Sequence, residues 1–205
     1  MLIKKTKYSK EWLTKAETNQ ILNDPGISRR DELIISMLYW CALRVSEMAA
    51  IKIKDINIKT GNLTLWQSKK SDTPELVHIP EQLIKSISQW ARENKLKPKD
   101  YLIRSQKGGS LSRIQIYRSI KDNARRIGIA KRITTHSFRR SRATHLLDGG
   151  LPLEKVSRFL RHNRLESTMV YLKISINNLK KDIAKIDSEQ TSQFILNLFY
   201  NVTKT

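Results

Sequence analysis

Arg44, Lys69 with its neighbour Lys70, His136, Arg139, His162 and Tyr171 follow one another along this chain in short, distinctive segments. These are Ala42-Leu43-Arg44-Val45-Ser46-Glu47, Ser68-Lys69-Lys70-Ser71, Thr135-His136-Ser137-Phe138-Arg139-Arg140, Leu160-Arg161-His162 and Val170-Tyr171-Leu172. Guanidiniums are permanently charged forks that grip oxyanions. Imidazoles exchange protons near neutrality, and a phenol oxygen can serve as a covalent nucleophile. Taken singly, each residue has an ordinary reading. Arg44 at a helix end complements the helix dipole, and His136 is a satisfied residue at a helix start. Lys69 is one more solvated lysine, and Tyr171 is half-buried core. His78 and His145 keep the ordinary reading, structural or exposed. What the ordinary readings do not supply is the order and spacing of the whole set.

That order, Arg, Lys, His-x-x-Arg, His, Tyr, resembles the active-site signature of the tyrosine recombinases, the family of Xer-type recombinases, lambda-type phage integrases and fimbrial DNA invertases. The resemblance runs from about Trp12 to Ile186. It implies attack by the Tyr171 oxygen on a DNA phosphodiester, leaving a 3′-phosphotyrosyl bond and a free 5′-hydroxyl. Bond energy is retained, so religation needs no ATP. By the same resemblance Arg44 and Arg139 clamp the nonbridging oxygens where charge develops. His136 stands beside the phosphate and the phenol as proton acceptor or hydrogen-bond donor, and His162 adds a further phosphate contact. A lysine protonates the leaving 5′-oxygen. Gln67-Ser68-Lys69 matches the lambda-type pattern and favours Lys69, whereas counting back from Val77 favours Lys70. Glu47, one helical turn after Arg44, orients Arg44 or its neighbours. Arg140, Arg161 and Lys70 are expected on the DNA. The sequence departs from the pattern at Ala42 and Arg161, where the family usually has Gly, at Phe138 for Leu, and at Arg140 for His. Arg161 is expected to add a DNA-backbone contact or to alter the turn that holds His162.

The elements that must position these groups are partly readable. Trp12 to Leu22 reads as a short helix, with Thr14 and Glu17 forming a capping box and Asp24-Pro25-Gly26 stopping it. Asp31 to Met48 reads as one long helix, because Leu33, Ile34, Met37, Leu38, Cys41 and Val45 recur at helical spacing. Between Ile56 and Ile79 the period changes to alternation, with turn chemistry at Thr60-Gly61-Asn62 and Ser71-Asp72-Thr73-Pro74, which predicts a meander of about three antiparallel strands. Helices follow over Glu81 to Glu93, Ser112 to Ile127 with Gly128 ending it, His136 to Leu147 closed by Gly149-Gly150, a segment opened by Pro152, Glu166 to Lys173, and Ile176 to Ile186. The expected fold class is α+β and mostly helical, with a small three-stranded antiparallel sheet; the resemblance makes it a tyrosine recombinase catalytic domain.

Composition sets the frame. Lys and Arg total 39 against 19 Asp and Glu, a net charge of +20, and 39% of the 205 residues are hydrophobic. A folded domain this basic points to a polyanion, nucleic acid first and an anionic membrane surface second. Cys41 is the single cysteine, which excludes an intrachain disulfide; it lies in an apolar run and is expected to be buried. No stretch of about 18 apolar residues exists, and no signal peptide is visible, so a cytoplasmic, nucleoid-associated location is expected. Neither a metal nor a nucleotide cofactor is expected, for want of Cys or acidic clusters and of a Gly-rich phosphate loop. The expected organisation is a basic arm over 1–11, a catalytic domain over 12–187 and a tail helix over 188–205, with no separate N-terminal DNA-clamping domain. Phe194, Ile195, Leu198 and Phe199 give the tail an apolar face suited to packing on a neighbour. The expected partners are double-stranded DNA and further copies of the chain, a homo-tetramer on synapsed sites. Two other readings stay open: type IB topoisomerase-like relaxation, and a non-catalytic DNA-binding accessory protein with the same fold.

Overall fold

The structure, a computed structural model, describes residues 12–66, 74–162 and 164–172. Helix α1 (Lys15–Leu22) starts at the capping box seen in the sequence: Thr14 Oγ1 accepts from the Glu17 N–H, and Glu17 accepts from the Thr14 N–H at 2.7 Å. Helix α2 (Arg29–Trp40), capped by Ser28, is the centre of the domain. It packs against α1, α4 (Glu81–Glu93), α5 (Arg113–Arg126) and α6 (Thr135–Asp148). Its residues Leu33, Ile34, Ile35, Met37 and Leu38 all lie in the main core with Leu63, Leu102, Ile116, Ile120 and Phe138.

The long helix expected over Asp31 to Met48 is two helices. α2 stops at Trp40, and α3 (Val45–Ala50) begins after Arg44. Between them Ala42 adopts φ 46°, a left-handed conformation that no helix can carry through. The apolar spacing continues across the break, so periodicity alone ran the two together.

The sheet follows the expected meander: β1 (Ile56–Asn57), β2 (Asn62–Leu65) and β3 (Glu75–His78), antiparallel in the order β1-β2-β3. Leu63 pairs with Val77, and both point into the core, while Leu76 faces out. Gly61, at φ 66°, makes the β1–β2 turn possible; its carbonyl receives the Ile79 N–H. The helices over Glu81 to Glu93 and Ser112 to Ile127 appear within a residue of their expected ends, with Ser112 capping α5 through Gln115.

α6 is buried around much of its circumference: Phe138, Ser141, Ala143, Thr144 and His145 are all enclosed. His145, a structural residue as expected, bonds the Tyr39 hydroxyl at 2.9 Å, and burial lowers its pKa. Arg142 lies over the Trp40 ring at 4.7 Å and near those of Tyr39 and Phe159, joining α2, α6 and α7 (Leu153–Phe159). A second, smaller cluster of Ala42, Ala143, Val156 and Leu160 takes in Phe159 and Tyr171. It forms the floor beneath α8 (Glu166–Leu172). The helix expected over Ile176 to Ile186 and the apolar tail lie outside the described residues.

Candidate active site

Two sharp turns build the site. One is the α2–α3 break, centred on Ala42. The other follows α7, where Arg161 adopts φ 55° just before His162. Each left-handed L-residue costs roughly 1–2 kcal/mol, which is the physical reason Gly is common at both positions in the resemblance. Here the turns are kept by other means.

Arg139 joins them. It sits one turn into α6, only 3% exposed, and its guanidinium donates to the carbonyls of Ala42 and Leu160. One side chain thus fixes the backbone on both sides of the site. Burial pushes its pKa down to about 10, with Arg44 and Arg161 adding to the fall and Glu47 and Tyr171 opposing it. It remains charged at neutral pH.

Arg44 caps α3. Its N–H donates to Glu47 Oε2 at 2.7 Å, its Nη1 to Glu47 Oε1 at 2.5 Å and its Nη2 to the Arg161 carbonyl at 3.0 Å. Its side chain stays 38% exposed. Burial raises the Glu47 carboxyl, but Arg161 and then Arg44 more than offset this and hold it below the ordinary carboxylate range.

Arg161 is not where the sequence suggests. Its side chain is turned inward, paired with Glu47 Oε2 at 2.7 Å and Glu75 Oε2 at 3.3 Å. The guanidinium is thus committed to two carboxylates within the turn, where the sequence suggests a side chain directed at the DNA backbone. Its place in the turn holding His162 stands.

His162 bonds Thr168 Oγ1 through Nδ1 at 2.8 Å and lies against Tyr171, ring centroids 6.4 Å apart and planes 25° from parallel. Burial, then the charges of Arg139, Arg44 and Arg161, push its pKa down to about 4. The imidazole is therefore neutral at physiological pH. Tyr171 projects from α8, half-buried against the second cluster.

His136 occupies the first turn of α6 and is exposed, one turn ahead of Arg139; Arg140 is half-buried beside it. Lys69 and Lys70 lie outside the described residues, between β2 and β3. The structure thus gathers Arg44, Glu47, Arg139, His162 and Tyr171 around two turns. Sequence reasoning missed Thr168 and Glu75. Thr168 precedes Tyr171 by one helical turn, which was a usable signal; Glu75 meets Arg161 only through the fold, and nothing local marks it.

Chemically, Arg44 and Arg161 share the Glu47 carboxylate, Arg161 also meets Glu75, and Arg139 is held by carbonyls, which leaves a concentrated positive field beside a phenol and a neutral imidazole. Cys41, buried with its thiol pushed up to about 12, offers no competing nucleophile.

Known proteins similar to this chain are numerous. The phage integrase family model matches residues 11–177. The chain is similar to tyrosine recombinase XerD of Pseudomonas putida, 29% identical over 178 residues that make up 82% of this chain and 59% of the relative. With tyrosine recombinase XerA of Pyrococcus furiosus it is 31% identical over 177 residues, 84% of this chain and 60% of the relative. It spans about three fifths of the length of these curated relatives. Among solved structures, a XerA recombinase superposes with a TM-score of 0.76 at 22% identity, covering 85% of this chain and 64% of the other. The XerH site-specific recombinase in a post-cleavage complex with a palindromic difH substrate gives 0.73 at 24%, covering 85% and 53%. The fold is that of these recombinases' catalytic domains, and the chain belongs to the phage integrase family of tyrosine recombinases.

Proposed function

We propose that this domain cleaves and rejoins double-stranded DNA at specific sites through a covalent 3′-phosphotyrosyl intermediate on Tyr171. The observation that carries the reading is the stacking of His162 on Tyr171 within the field of Arg44 and Arg139. The Tyr171 oxygen attacks phosphorus, its proton passing to His136, and the bond to the 5′-oxygen breaks. Lys69 or Lys70 protonates the leaving oxygen. Arg44 and Arg139 hold the nonbridging oxygens as negative charge builds on them, and neutral His162 donates to one of them. Attack by the 5′-hydroxyl reverses the sequence and restores the backbone.

The net charge of +20 supports a DNA partner, since neutralising phosphates releases counterions and makes binding steeply salt-dependent. Arg140 and Lys70 are the proposed DNA contacts flanking the chemistry. The proposed organisation is an arm over 1–11, the catalytic domain over 12–187 and a tail over 188–205 that packs on a neighbour in a tetramer on two synapsed duplexes. A cytoplasmic, nucleoid-associated setting follows from such a partner. The test is covalent trapping on nicked duplex DNA with EDTA present. A protease-sensitive adduct in wild type, missing in Tyr171→Phe, supports the reading; bound DNA with no adduct opposes it.

A further inference from the structure

The inward arginine at the second turn has no part in the chemistry just described. Arg161 is 6% exposed, and its guanidinium meets two carboxylates from different elements: Glu47 on α3 and Glu75 at the start of β3. Its own carbonyl accepts from Arg44 Nη2 at 3.0 Å, and Glu47 Oε1 holds Arg44 Nη1 at 2.5 Å. The contacts close a ring running from Arg44 to the Arg161 carbonyl, through the Arg161 side chain to Glu47, and back to Arg44.

An enclosed ion pair brings little net stability, because desolvation offsets much of the attraction. Its fixed geometry is what distinguishes it from an apolar replacement. Glu47 has two oxygens and two guanidiniums to serve. Arg161 takes Oε2 and leaves Oε1 for Arg44. Oε2 also accepts the Arg44 backbone N–H at 2.7 Å; were Arg161 absent, Oε2 would lose its guanidinium partner and be open to the Arg44 side chain as well, a two-point pair would form, and the fork would turn away from an incoming phosphate. Glu75, immediately after the segment that carries Lys69 and Lys70 in sequence, is tied by the same guanidinium to the His162 turn.

Resting on the proposed transesterification, we infer that Arg161 is a positioning residue: it divides Glu47 between two guanidiniums, so that Arg44 is held with its free edge toward the phosphate, and it anchors β3 to the same turn. Arg161→Met keeps the length of the side chain and its backbone demand but removes the charge. Arg161→Gly removes both and relieves the left-handed strain, so a folding defect in one variant need not appear in the other.

The experiment measures single-turnover adduct formation on nicked duplex at saturating DNA, DNA affinity across salt, and the Arg44 guanidinium N–H resonances without DNA. Both variants are expected to form adduct about tenfold to a hundredfold more slowly, as misplacement of a catalytic group does. DNA affinity and its salt slope stay unchanged, the Arg44 resonances move, and Arg161→Lys recovers part of the rate. Wild-type rates in both variants would overturn the inference, as would unmoved Arg44 resonances. A weaker affinity with a shallower salt slope would make Arg161 a direct phosphate contact and overturn it too. If wild type forms no adduct while the Arg44 resonances still move on substitution, the proposed reaction fails and the positioning of Arg44 stands.

Discussion

The imidazole of His162 and the phenol of Tyr171 lie nearly parallel, 6.4 Å between centroids, and the hydroxyl of Thr168 on the helix that carries Tyr171 bonds the imidazole at 2.8 Å. One turn of α8 therefore carries both the proposed nucleophile and the group that orients its neighbour. Where the Thr168 hydroxyl donates to Nδ1, Nε2 bears the ring proton and is the donor available to an oxyanion.

Thr168→Val removes that orientation while keeping the shape of a fully buried side chain. Adduct formation is expected to fall about tenfold, in the range of a positioned hydrogen-bonding group. Stability should fall by about 1 kcal/mol, the usual net worth of one such bond. Thr168→Ser, which keeps the hydroxyl, should recover the rate. Adduct kinetics beside urea denaturation check both.

His162 should titrate near 4 in the free protein, well below its usual 6.5. The sign for stability follows from which state holds the proton. Between pH 6.5 and about 4 the unfolded chain binds it and the folded one does not, so stability falls as pH is lowered through that window and levels off below it. A phosphate held by Arg44 and Arg139 offsets the positive charge around His162, so DNA should raise the value. Carbon-detected histidine NMR with and without DNA reads both; a free-protein midpoint near 6.5 would contradict the prediction.

Arg139→Lys keeps a charge but loses the fork that spans the Ala42 and Leu160 carbonyls. A carbonyl left unmet in the interior costs about 1–3 kcal/mol. The variant is expected to unfold at lower urea with an unchanged slope, and to form adduct at least about a hundredfold more slowly, as for a lost oxyanion donor. Wild-type stability would mean that the two turns do not depend on Arg139.

Ala42→Gly sets opposing effects against each other. It relieves left-handed strain of roughly 1–2 kcal/mol. It also gives up one buried methyl, about 0.8 kcal/mol, and adds about 0.5–1 kcal/mol of unfolded-chain entropy. These nearly cancel, so denaturant midpoints should barely move and the adduct rate should persist. A large loss would show that the Ala42 methyl matters more to the second cluster than its size implies.

The sequence made some of this legible and concealed the rest for physical reasons. Caps and turns are local chemistry, so α1 with its Thr14–Glu17 box, the Gly61 turn and the two ends of α4 could be read directly. The α2–α3 break could not, because Ala42 is a good helix former standing in a conformation that glycine would have announced. Arg44, Arg139, His162 and Tyr171 were legible as an ordered set, and the fold brings them to two adjoining turns. The inward course of Arg161 was hidden: on a chain of net charge +20 an arginine reads as surface, and its partner Glu75 comes from a distant strand.

The most direct measurement locates the covalent bond. Adduct trapped on nicked duplex would be digested with protease and nuclease and the nucleotide-bearing peptide sequenced by mass spectrometry. A nucleotide joined through its 3′-phosphate to Tyr171 is the predicted result. Attachment to any other residue, or no attachment on DNA that the protein demonstrably binds, would contradict it.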